Sequence, residues 1–405
     1  MTLTIQHLGH RGDGVAHDND GPVYVPRTLP GEVVEGERDG DRIPEPRIVV
    51  PSPDRVAPPC PQFRRCGGCA LQHASDLFVA RWKAQGVART LRQAGLAPSF
   101  AGVVTSPPNS RRRAALSGRK TKGGAIVGFH TPKADDIVAI PGCTLLHPDL
   151  MAALPALEEI TRIAAPRGEE IALHLTRTGT GLDLAIDTSK PLGADEIAAL
   201  APLAPAFARI IWAGELAVQA ARPVLRMAGA PVPLPPGAFL QATASGEAAL
   251  VARVAEALGS AARVVDLFAG CGTFTFPAAR SAAVTAVEGE ARLVDALAAG
   301  ARGAQGLKPI AAEVRDLFRD PLTAADLSGF DAAIIDPPRA GAAAQIAELA
   351  RSDLATIAHV SCNPATFARD AMGLVSIGWS MGPVTIVDQF RWSPHVELFA
   401  AFTRG

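Results

Sequence analysis

The second half of the chain alternates short apolar segments with alanine-rich stretches, and this alternation constrains the fold more than any other feature. The apolar segments have the length of buried strands, and the stretches between them have the spacing of helices. Apolar strands joined through helices form a mostly parallel sheet with helices on both faces. The last two segments have no helix between them and are expected to pair antiparallel. The predicted strands are residues 264–268, 284–287, 332–335, 357–360, 384–387 and 396–402.

Changes of pattern divide the 405 residues into three predicted domains. Residues 1–55 carry short strand-like runs between glycine turns, which is typical of a small closed β-barrel. Residues 56–236 begin with a proline-rich and cysteine-rich connector, continue with a helix-like stretch from 75 to 97, and then mix strands with helices as an α+β central domain. Residues 237–405 hold the strand–helix alternation, so a multi-domain protein with a C-terminal Rossmann-like α/β domain is expected.

The charge balance narrows the class of protein. A formal net charge of −1 argues against a protein that coats nucleic acid without specificity. No apolar run is long enough for a membrane span and the first residues lack the pattern of a secretory signal, so a cytoplasmic protein is expected. One local basic run is either an RNA-facing surface or a solvated loop. It consists of Arg111, Arg112, Arg113, Arg119, Lys120, Lys122 and Lys133.

A glycine turn follows the first strand of the alternation. The segment 266–272 reads DLFAGCG, and its glycines allow positive φ angles and a close approach of the backbone to a ligand. Glu288 ends the next strand, about 20 residues on, where an acid can bind ribose hydroxyls. The alternative is a structural turn with an exposed glutamate. A P-loop is excluded because no Gly-Lys-Ser/Thr follows.

A thiol and two carboxylates follow at the ends of the later strands. Asp336 and Cys362 come directly after neighbouring apolar segments, so both are expected at the carboxyl edge of the sheet, where ligands of such sheets bind. Glu397 lies at the start of the last segment, and the alternative for it is a surface position. Cys271, within the glycine turn, is expected to be a small buried side chain.

Four motifs in this order resemble those of a known family. They are DLFAGCG at 266–272, DPPR at 336–339, SCNP at 361–364 and PHVE at 394–397. Together they resemble the motif set of the bacterial RNA uracil-C5 methyltransferases, which include ribosomal-RNA and transfer-RNA m5U enzymes. The resemblance extends over nearly the whole chain and implies a class I S-adenosylmethionine-dependent methyltransferase domain. The N-terminal unit, with GDGVA at 12–16 and LPGE at 29–32, resembles the TRAM domain, an RNA-binding barrel of the OB type.

The resemblance also implies which residues bind the cofactor, S-adenosyl-L-methionine. Gln241 would contact its methionine part, and Asp336 would lie beside the methyl donor and the target base. Glu288 would hold the ribose. The remaining contacts would come from Phe268 and Thr273 at the glycine turn and from Asp316 near the adenine.

The implied chemistry is covalent catalysis at a pyrimidine. C5 of uracil is a poor nucleophile, and addition of the Cys362 thiolate to C6 makes it reactive. Glu397 would then remove the C5 proton as the thiol leaves. The DPPR motif also resembles that of amino-group methyltransferases, which need no thiol; the presence of Cys362 and Glu397 favours carbon methylation.

Four further cysteines form a candidate metal centre. The spacing of Cys60, Cys66, Cys69 and the distant Cys143 is compatible with zinc or with an iron–sulfur cluster. The resemblance selects a [4Fe-4S] cluster, which belongs to the ribosomal-RNA branch of the family. It therefore implies an enzyme acting on 23S rRNA, and a monomer is expected.

Two other functions stay open: a tRNA uracil-C5 methyltransferase, and a non-catalytic RNA-binding or assembly protein that retains the fold. Aromatic residues make up only 5% of the chain. RNA enzymes stack splayed bases on aromatic or arginine side chains. Arginines and residues such as Phe63 and Phe129 are therefore expected to serve that purpose.

Overall fold

The computed structural model describes residues 1–132 and 134–404, and its first fifty residues form a small β unit. The strands are β1 (Thr2–Thr4), β2 (His7–Leu8), β3 (Gly14–Asp18), β4 (Gly21–Val25), β5 (Val33–Glu35) and β6 (Arg47–Val50). They pair as two three-stranded sheets, β1-β5-β6 and β2-β3-β4. The sheets meet where the N–H groups of Ile5 and Gln6 donate to the carbonyls of Glu32 and Val15. Ile5 lies in the apolar core that both sheets share.

An irregular segment, residues 51–74, leads from this unit into the first helix, α1 (Asp76–Gln93). The hydroxyl oxygen of Ser75 caps α1 by accepting a hydrogen bond from the N–H of Phe78 at 3.2 Å. Gly95 follows the helix with φ of +89°, a conformation that costs glycine little and stops the helix as the sequence predicts.

The central region is built on a seven-stranded sheet. Its strands are β8 (Arg113–Thr121), β9 (Gly124–His130), β10 (Ile137–Ala139), β11 (Glu170–Thr178), β12 (Gly181–Asp187), β13 (Arg209–Trp212) and β14 (Glu215–Gln219); β7 (Phe100–Thr105) precedes them. Their spatial order is β10-β9-β8-β11-β12-β13-β14. The helices α2 (Pro148–Ala152), α3 (Leu154–Ala164) and α4 (Ala194–Leu200), with a 3₁₀ turn at Ala201–Ala206, accompany this sheet. A hairpin of β15 (Val224–Met227) and β16 (Ala230–Pro233) ends the region.

The C-terminal region is a nine-stranded sheet with helices on both faces. Its helices are α5 (Ala244–Leu258), α6 (Thr275–Ala278), α7 (Ala291–Gly303), α8 (Ala343–Arg351) and α9 (Pro364–Val375). Its strands are β17 (Arg263–Leu267), β18 (Ala283–Glu288), β19 (Ile310–Val314), β20 (Ala332–Ile335), β21 (Thr356–Ser361), β22 (Ser380–Met381), β23 (Val384–Asp388) and β24 (Glu397–Thr403), together with β7. The order is β19-β18-β17-β20-β21-β24-β23-β7, with β22 paired to β24.

The predicted mixed sheet is confirmed, including the antiparallel pairing of β23 with β24. Alternating residues of each strand enter different cores: Val265 and Ile335 pack on the face covered by α1, α8 and α9, whereas Val264 and Ile334 pack on the other. Side chains buried on both faces are what make these strands continuously apolar in sequence. Three strands of this sheet were not predicted: β7 and β19 carry exposed residues and lack an unbroken apolar run, and β22 has only two residues.

Part of the predicted central domain packs elsewhere. Residues 76–105 fall within the predicted boundaries 56–236, but β7 pairs in parallel with β23 at the edge of the C-terminal sheet. Val87 and Leu91 of α1 are buried in the same core as α9. The order of elements along the chain does not reveal that β7 joins a sheet formed much later. The boundaries at residues 55 and 236 stay predictions. No helix within the described residues is both long and apolar enough to cross a membrane.

Candidate active site

A cavity of about 440 Å³ opens at the carboxyl ends of β17, β18, β20 and β21. This is the edge at which open α/β sheets bind ligands, because helix N-termini and strand-end loops converge there. The structure brings all the residues predicted for the cofactor and for catalysis to its wall. They are Gln241, Phe268, Thr273, Glu288, Asp316, Asp336, Cys362 and Glu397.

The floor of the cavity is the glycine turn after β17. Phe268, Gly270 and Gly272 all have positive φ, at +60°, +56° and +98°. A side chain at Gly272 would place its Cβ 2.6 Å from the ring of Phe276, so only glycine fits there. Phe268 holds a left-handed conformation that is rare for an aromatic residue, and such strain is typical of functional sites.

Glu288 is fixed against this turn by two backbone N–H groups. One carboxylate oxygen accepts from Gly270 at 3.0 Å and the other from Glu290 at 2.9 Å. An ionised carboxylate has about four acceptor positions, so both oxygens can accept further bonds from a ligand. The carboxylate is thus held at the cavity wall with acceptor positions left for a ligand.

Two aromatic rings form one wall. Phe268 and Phe318 lie with ring centroids 5.3 Å apart, and Phe318 is 50% exposed. The carboxylate of Asp316 accepts a hydrogen bond from the N–H of Phe318 at 3.0 Å, which orders the loop that carries both residues. The exposed face of such an apolar wall suits the stacking of a planar ring. Phe318 was not singled out in the sequence, where only its position two residues after Asp316 could have indicated it.

The register of β21 and β24 places Cys362 opposite Glu397. Ser361 pairs with Leu398 across the antiparallel strands, so the next residues toward the cavity, Cys362 and Glu397, face each other at the sheet edge. Asp336 follows the adjacent parallel strand β20. The topology therefore assembles a thiol and two carboxyl groups from three separate motifs.

Burial dominates the acid–base properties of this group. It raises the pKa of the Cys362 thiol to about 11, with further contributions from the charges of Glu397 and Asp336. Burial also raises the pKa of Glu397 well above its usual range, aided by Asp336 and opposed by a hydrogen bond from Gln389. The pKa of Asp336 is raised to about 7 by burial. A positive charge bound among them would favour their charged forms.

Two buried glutamines connect Glu397 to the opposite wall of the cavity. Gln389 donates from Nε2 to the side-chain oxygen of Gln241 at 2.6 Å and accepts from the N–H of Ala242 at 2.8 Å. Gln241 in turn lies 3.4 Å from a carboxylate oxygen of Asp336. The sequence predicts Gln241 as a site residue but does not predict Gln389. Gln389 directly follows the end of β23 and belongs to none of the four motifs.

Beside the cavity lies a second one, of about 300 Å³, between the central and C-terminal regions. Arg113 lies over the ring of Phe239, with 4.8 Å to its centroid, and Arg111 over Phe390 at 5.6 Å. Phe239 is 62% exposed and also borders the first cavity. Both cavities therefore share a wall formed by an arginine-backed aromatic ring.

The two phenylalanines expected to stack on RNA bases are not exposed in the structure. Phe63 is buried and stacks on His73, with ring centroids 5.6 Å apart, so it cannot stack a base. Phe129 is partly buried and packs against Gly68, whose Cβ would lie 3.0 Å from its ring. The sequence shows only that these residues are aromatic, and their burial depends on the fold.

The basic run is neither a solvated loop nor one surface. Arg112 and Arg113 donate to the carbonyls of Gln241 and Leu240 and so join the two regions. Residues 113–121 form β8. Lys133 lies outside the described residues.

Comparison with known proteins now decides the family. The model of the tRNA (uracil-5-)-methyltransferase family matches residues 234–404. An uncharacterized RNA methyltransferase of Caulobacter vibrioides is 48% identical, over 99% of both chains. The 23S rRNA (uracil(1939)-C(5))-methyltransferase RlmD of Pectobacterium atrosepticum is 31% identical, over 99% of this chain and 93% of its own. The chain belongs to the RNA uracil-C5 methyltransferase family.

A solved structure supports the fold of this RNA uracil-C5 methyltransferase. The tRNA (uracil-54, C5)-methyltransferase of Pyrococcus abyssi, solved with S-adenosyl-L-homocysteine, superposes with a TM-score of 0.77. The match covers 100% of both chains at 24% sequence identity. The similarity of fold thus extends over the N-terminal and central regions as well as the C-terminal one.

In this methyltransferase the four cysteines predicted to bind a metal lie near enough to influence one another's pKa values. Burial raises the pKa of Cys66, and the neighbouring Cys143 and Cys60 raise it further. The pKa of Cys69 is raised to about 12, by burial first and then by the other three thiols. Within residues 1–132 and 134–404, no three His, Cys, Asp or Glu side chains are arranged to hold a single metal ion.

Two glycines allow the cysteine segment to pack closely. A Cβ at Gly67 would lie 2.8 Å from the carbonyl oxygen of His130, and Gly67 donates its own N–H to that carbonyl. The N–H of Gly68 points to the sulfur of Cys66 at 3.4 Å. Residues 60–69 are therefore held against β9, close to Cys143.

The raised pKa of Cys362 gives a first prediction. Only the thiolate reacts with iodoacetamide, so alkylation of Cys362 should increase about tenfold per pH unit between roughly pH 7 and 10. Glu397→Gln removes a nearby negative charge and should shift this profile to lower pH. Peptide-resolved mass spectrometry measures the rate. Reaction that is already maximal at neutral pH would contradict the assigned environment of the thiol.

Proposed function

We propose that this protein transfers a methyl group from S-adenosylmethionine to C5 of one uridine in 23S rRNA. The observation that carries the proposal is the meeting of Cys362, Glu397 and Asp336 at the mouth of a nucleotide-sized cavity. A thiol paired with a base is what carbon methylation needs and what amino-group methylation does not. The ribosomal substrate is supported by the RlmD relative, which aligns with 99% of the chain.

The cavity fits S-adenosylmethionine by shape and by charge. The carboxylate of Glu288 would accept hydrogen bonds from the ribose hydroxyls, and the adenine would lie against the aromatic wall of Phe268 and Phe318, with Asp316 beside it. Gln241 and Asp336 lie toward the methionine end. The buried carboxyl groups, whose pKa values are raised, favour a ligand with a positive charge. S-adenosylmethionine supplies a methyl group on a positively charged sulfur.

The protein's own residues then act on the pyrimidine in two steps. Cys362 adds to C6 as the thiolate, and the electron pair of the C5–C6 double bond becomes available at C5. C5 would bond to the methyl carbon as the bond from that carbon to the sulfonium sulfur breaks, with its electrons remaining on that sulfur. After methylation, Glu397 takes the proton from C5. The electrons of that C–H bond restore the C5–C6 double bond, and the C6–S bond breaks with its electrons on Cys362. A base-paired target must first leave the stack to reach this thiol.

A direct test uses RNA that lacks the modification. The purified protein, labelled S-adenosylmethionine, and ribosomal or transfer RNA from a deletion strain should give label in 23S rRNA at one 5-methyluridine, located by mass spectrometry. Label in tRNA alone would transfer the proposal to the tRNA alternative. RNA binding without any methyl transfer would support the non-catalytic alternative instead.

We further propose that Cys60, Cys66, Cys69 and Cys143 hold a [4Fe-4S] cluster. The pKa of Cys69 is raised by the other three thiols, so the four side chains are neighbours. Four neighbouring thiolates can bind zinc or an iron–sulfur cluster, and the resemblance to the ribosomal-RNA branch of the family favours the cluster. The N–H of Gly68 directed at the Cys66 sulfur is of the kind that tunes such clusters.

Cluster loading gives a second prediction. Protein purified without oxygen should be brown, contain about four iron atoms per chain and lose both properties in Cys69→Ser. Elemental analysis and visible absorbance measure the change. The matched control is Cys271→Ser, since Cys271 lies in the glycine turn and should leave the iron content unchanged. A colourless protein with one zinc per chain would reject the cluster.

A basic cleft supports RNA as the macromolecular substrate. It has a volume of about 770 Å³ and lies between the N-terminal unit and the cysteine segment. The arginines lining it are Arg27, Arg47, Arg55, Arg64 and Arg65. No ion pair among the described residues engages Arg27, Arg64 or Arg65, so their charges are available to phosphates. The TRAM assignment, the cytoplasmic location and the monomeric state remain predictions.

A further inference from the structure

The loop that leads into Glu397 is held by residues far from it in sequence. This loop, residues 389–396, connects β23 to β24 and is named the base loop here. Its first residue, Gln389, contacts Gln241, and its last residue precedes Glu397 directly. The position of the carboxyl group of Glu397 therefore depends on what fixes the base loop.

Lys83, on α1, forms hydrogen bonds near both ends of the base loop. Its ammonium group donates to the carboxylate of Asp388 at 2.6 Å and to the carbonyl oxygens of His395 at 3.0 Å and Phe390 at 3.5 Å. These partners use all three N–H donors of a lysine. The side chains of Lys83 and Asp388 are each 1% exposed. The ion pair is thus excluded from solvent, and it joins two segments that lie 305 positions apart in sequence.

The middle of the base loop is hydrogen-bonded to the residues that directly follow the cysteine segment. Trp392 has φ of +61°, and its carbonyl accepts hydrogen bonds from the N–H groups of Ala70 at 2.8 Å and Leu71 at 3.0 Å. Arg391 donates to the carbonyl of Ser106 at 3.0 Å. These contacts keep the centre of the loop in place, and Lys83 sets its two ends.

We propose that Lys83 is a positioning residue for the proton abstraction by Glu397, an inference that rests on the proposed function. A buried ion pair is weak evidence for stability, because apolar substitutes of similar size are often as stable. Its distinctive effect here is geometric: it brings the carbonyl of His395 to a fixed point two residues before Glu397. Displacing a base by about 1 Å can cost roughly 100-fold in rate.

The expected effect is confined to one chemical step. Cys362 lies on the turn between β21 and α9, whereas the hydrogen bonds of Lys83 go to Asp388 and to the base loop. Addition of the thiol and methyl transfer should therefore proceed while elimination slows. A covalent protein–RNA adduct should therefore accumulate when Lys83 is replaced, as it should when Glu397 is replaced.

The test compares Lys83→Met with three other variants. Glu397→Gln is the benchmark for blocked elimination, and Lys83→Arg keeps the charge. Arg209→Met is the matched control, because Arg209 forms a buried ion pair with Asp183 in the central region, away from the loop. The readouts are the fraction of protein bound to RNA after denaturation, the affinity for S-adenosylhomocysteine and hydrogen exchange of the base loop. Asp388→Asn breaks the same ion pair if Lys83→Met does not fold.

The inference predicts a roughly 100-fold lower kcat for Lys83→Met. It also predicts adduct accumulation, faster exchange in the base loop and unchanged S-adenosylhomocysteine affinity, with partial recovery in Lys83→Arg. Equal loss of activity in Lys83→Met and Arg209→Met without adduct would overturn it and indicate a merely structural ion pair. Absence of adduct in Glu397→Gln would instead refute the proposed role of Glu397, whatever Lys83→Met shows.

Discussion

Cys362→Ala is expected to lower methylation by about 10⁴-fold or more, the scale of the loss when a covalent nucleophile is removed. Without the sulfur, no nucleophile adds to C6, and C5 stays a poor nucleophile. Binding of S-adenosylhomocysteine should persist, because Glu288 and the aromatic wall of Phe268 and Phe318 are untouched. Single-turnover methylation and equilibrium binding measure the two effects.

A matched variant makes this result specific. Cys271→Ala removes a thiol of the same size that borders the same cavity in the glycine turn, is 4% exposed, and takes no part in the addition to C6. It should retain most of the activity. Wild-type methylation by Cys362→Ala would refute the assigned nucleophile, and equal losses in both variants would indicate a general disturbance of the cavity.

Glu397→Gln is expected to reduce turnover by roughly 10²- to 10⁴-fold, the contribution typical of a positioned general base. The amide fills the same space but cannot accept the C5 proton, so the methylated adduct should persist instead of releasing product. A denaturing gel detects it as protein that migrates with RNA. Glu313→Gln, at an exposed position on β19, is the control. Product release at the wild-type rate would argue against Glu397 as the base.

The C-terminal fold and the grouping of the site follow from local patterns. Apolar runs ending in Asp336 and Cys362 predict neighbouring strand ends, and the absence of a helix between the last two strands predicts their antiparallel pairing. The antiparallel pairing of the last strand with β21 then sets Glu397 opposite Cys362. Short motifs suffice here because each one ends a strand, and parallel strands end at one edge.

The contacts that hold the base were not predictable in this way. Lys83 and Asp388 are far apart in sequence, and neither stands in a recognisable pattern. The edge strand β7 returns to a sheet formed much later in the chain. Whether Phe63 is buried or Phe239 exposed depends on which domains meet over them. Such features arise from tertiary packing, which local sequence does not encode separately.

The central claim is a transient bond between the sulfur of Cys362 and C6 of the target uridine. The most direct measurement uses substrate RNA with 5-fluorouridine at the methylated position, because fluorine at C5 leaves no proton for Glu397 to remove. With S-adenosylmethionine, the account predicts a stable adduct, which digestion and tandem mass spectrometry would locate as a methylated fluorouridine on Cys362. An enzyme that methylates normal RNA but forms no adduct with the fluorinated RNA, or forms it on another residue, would contradict the account.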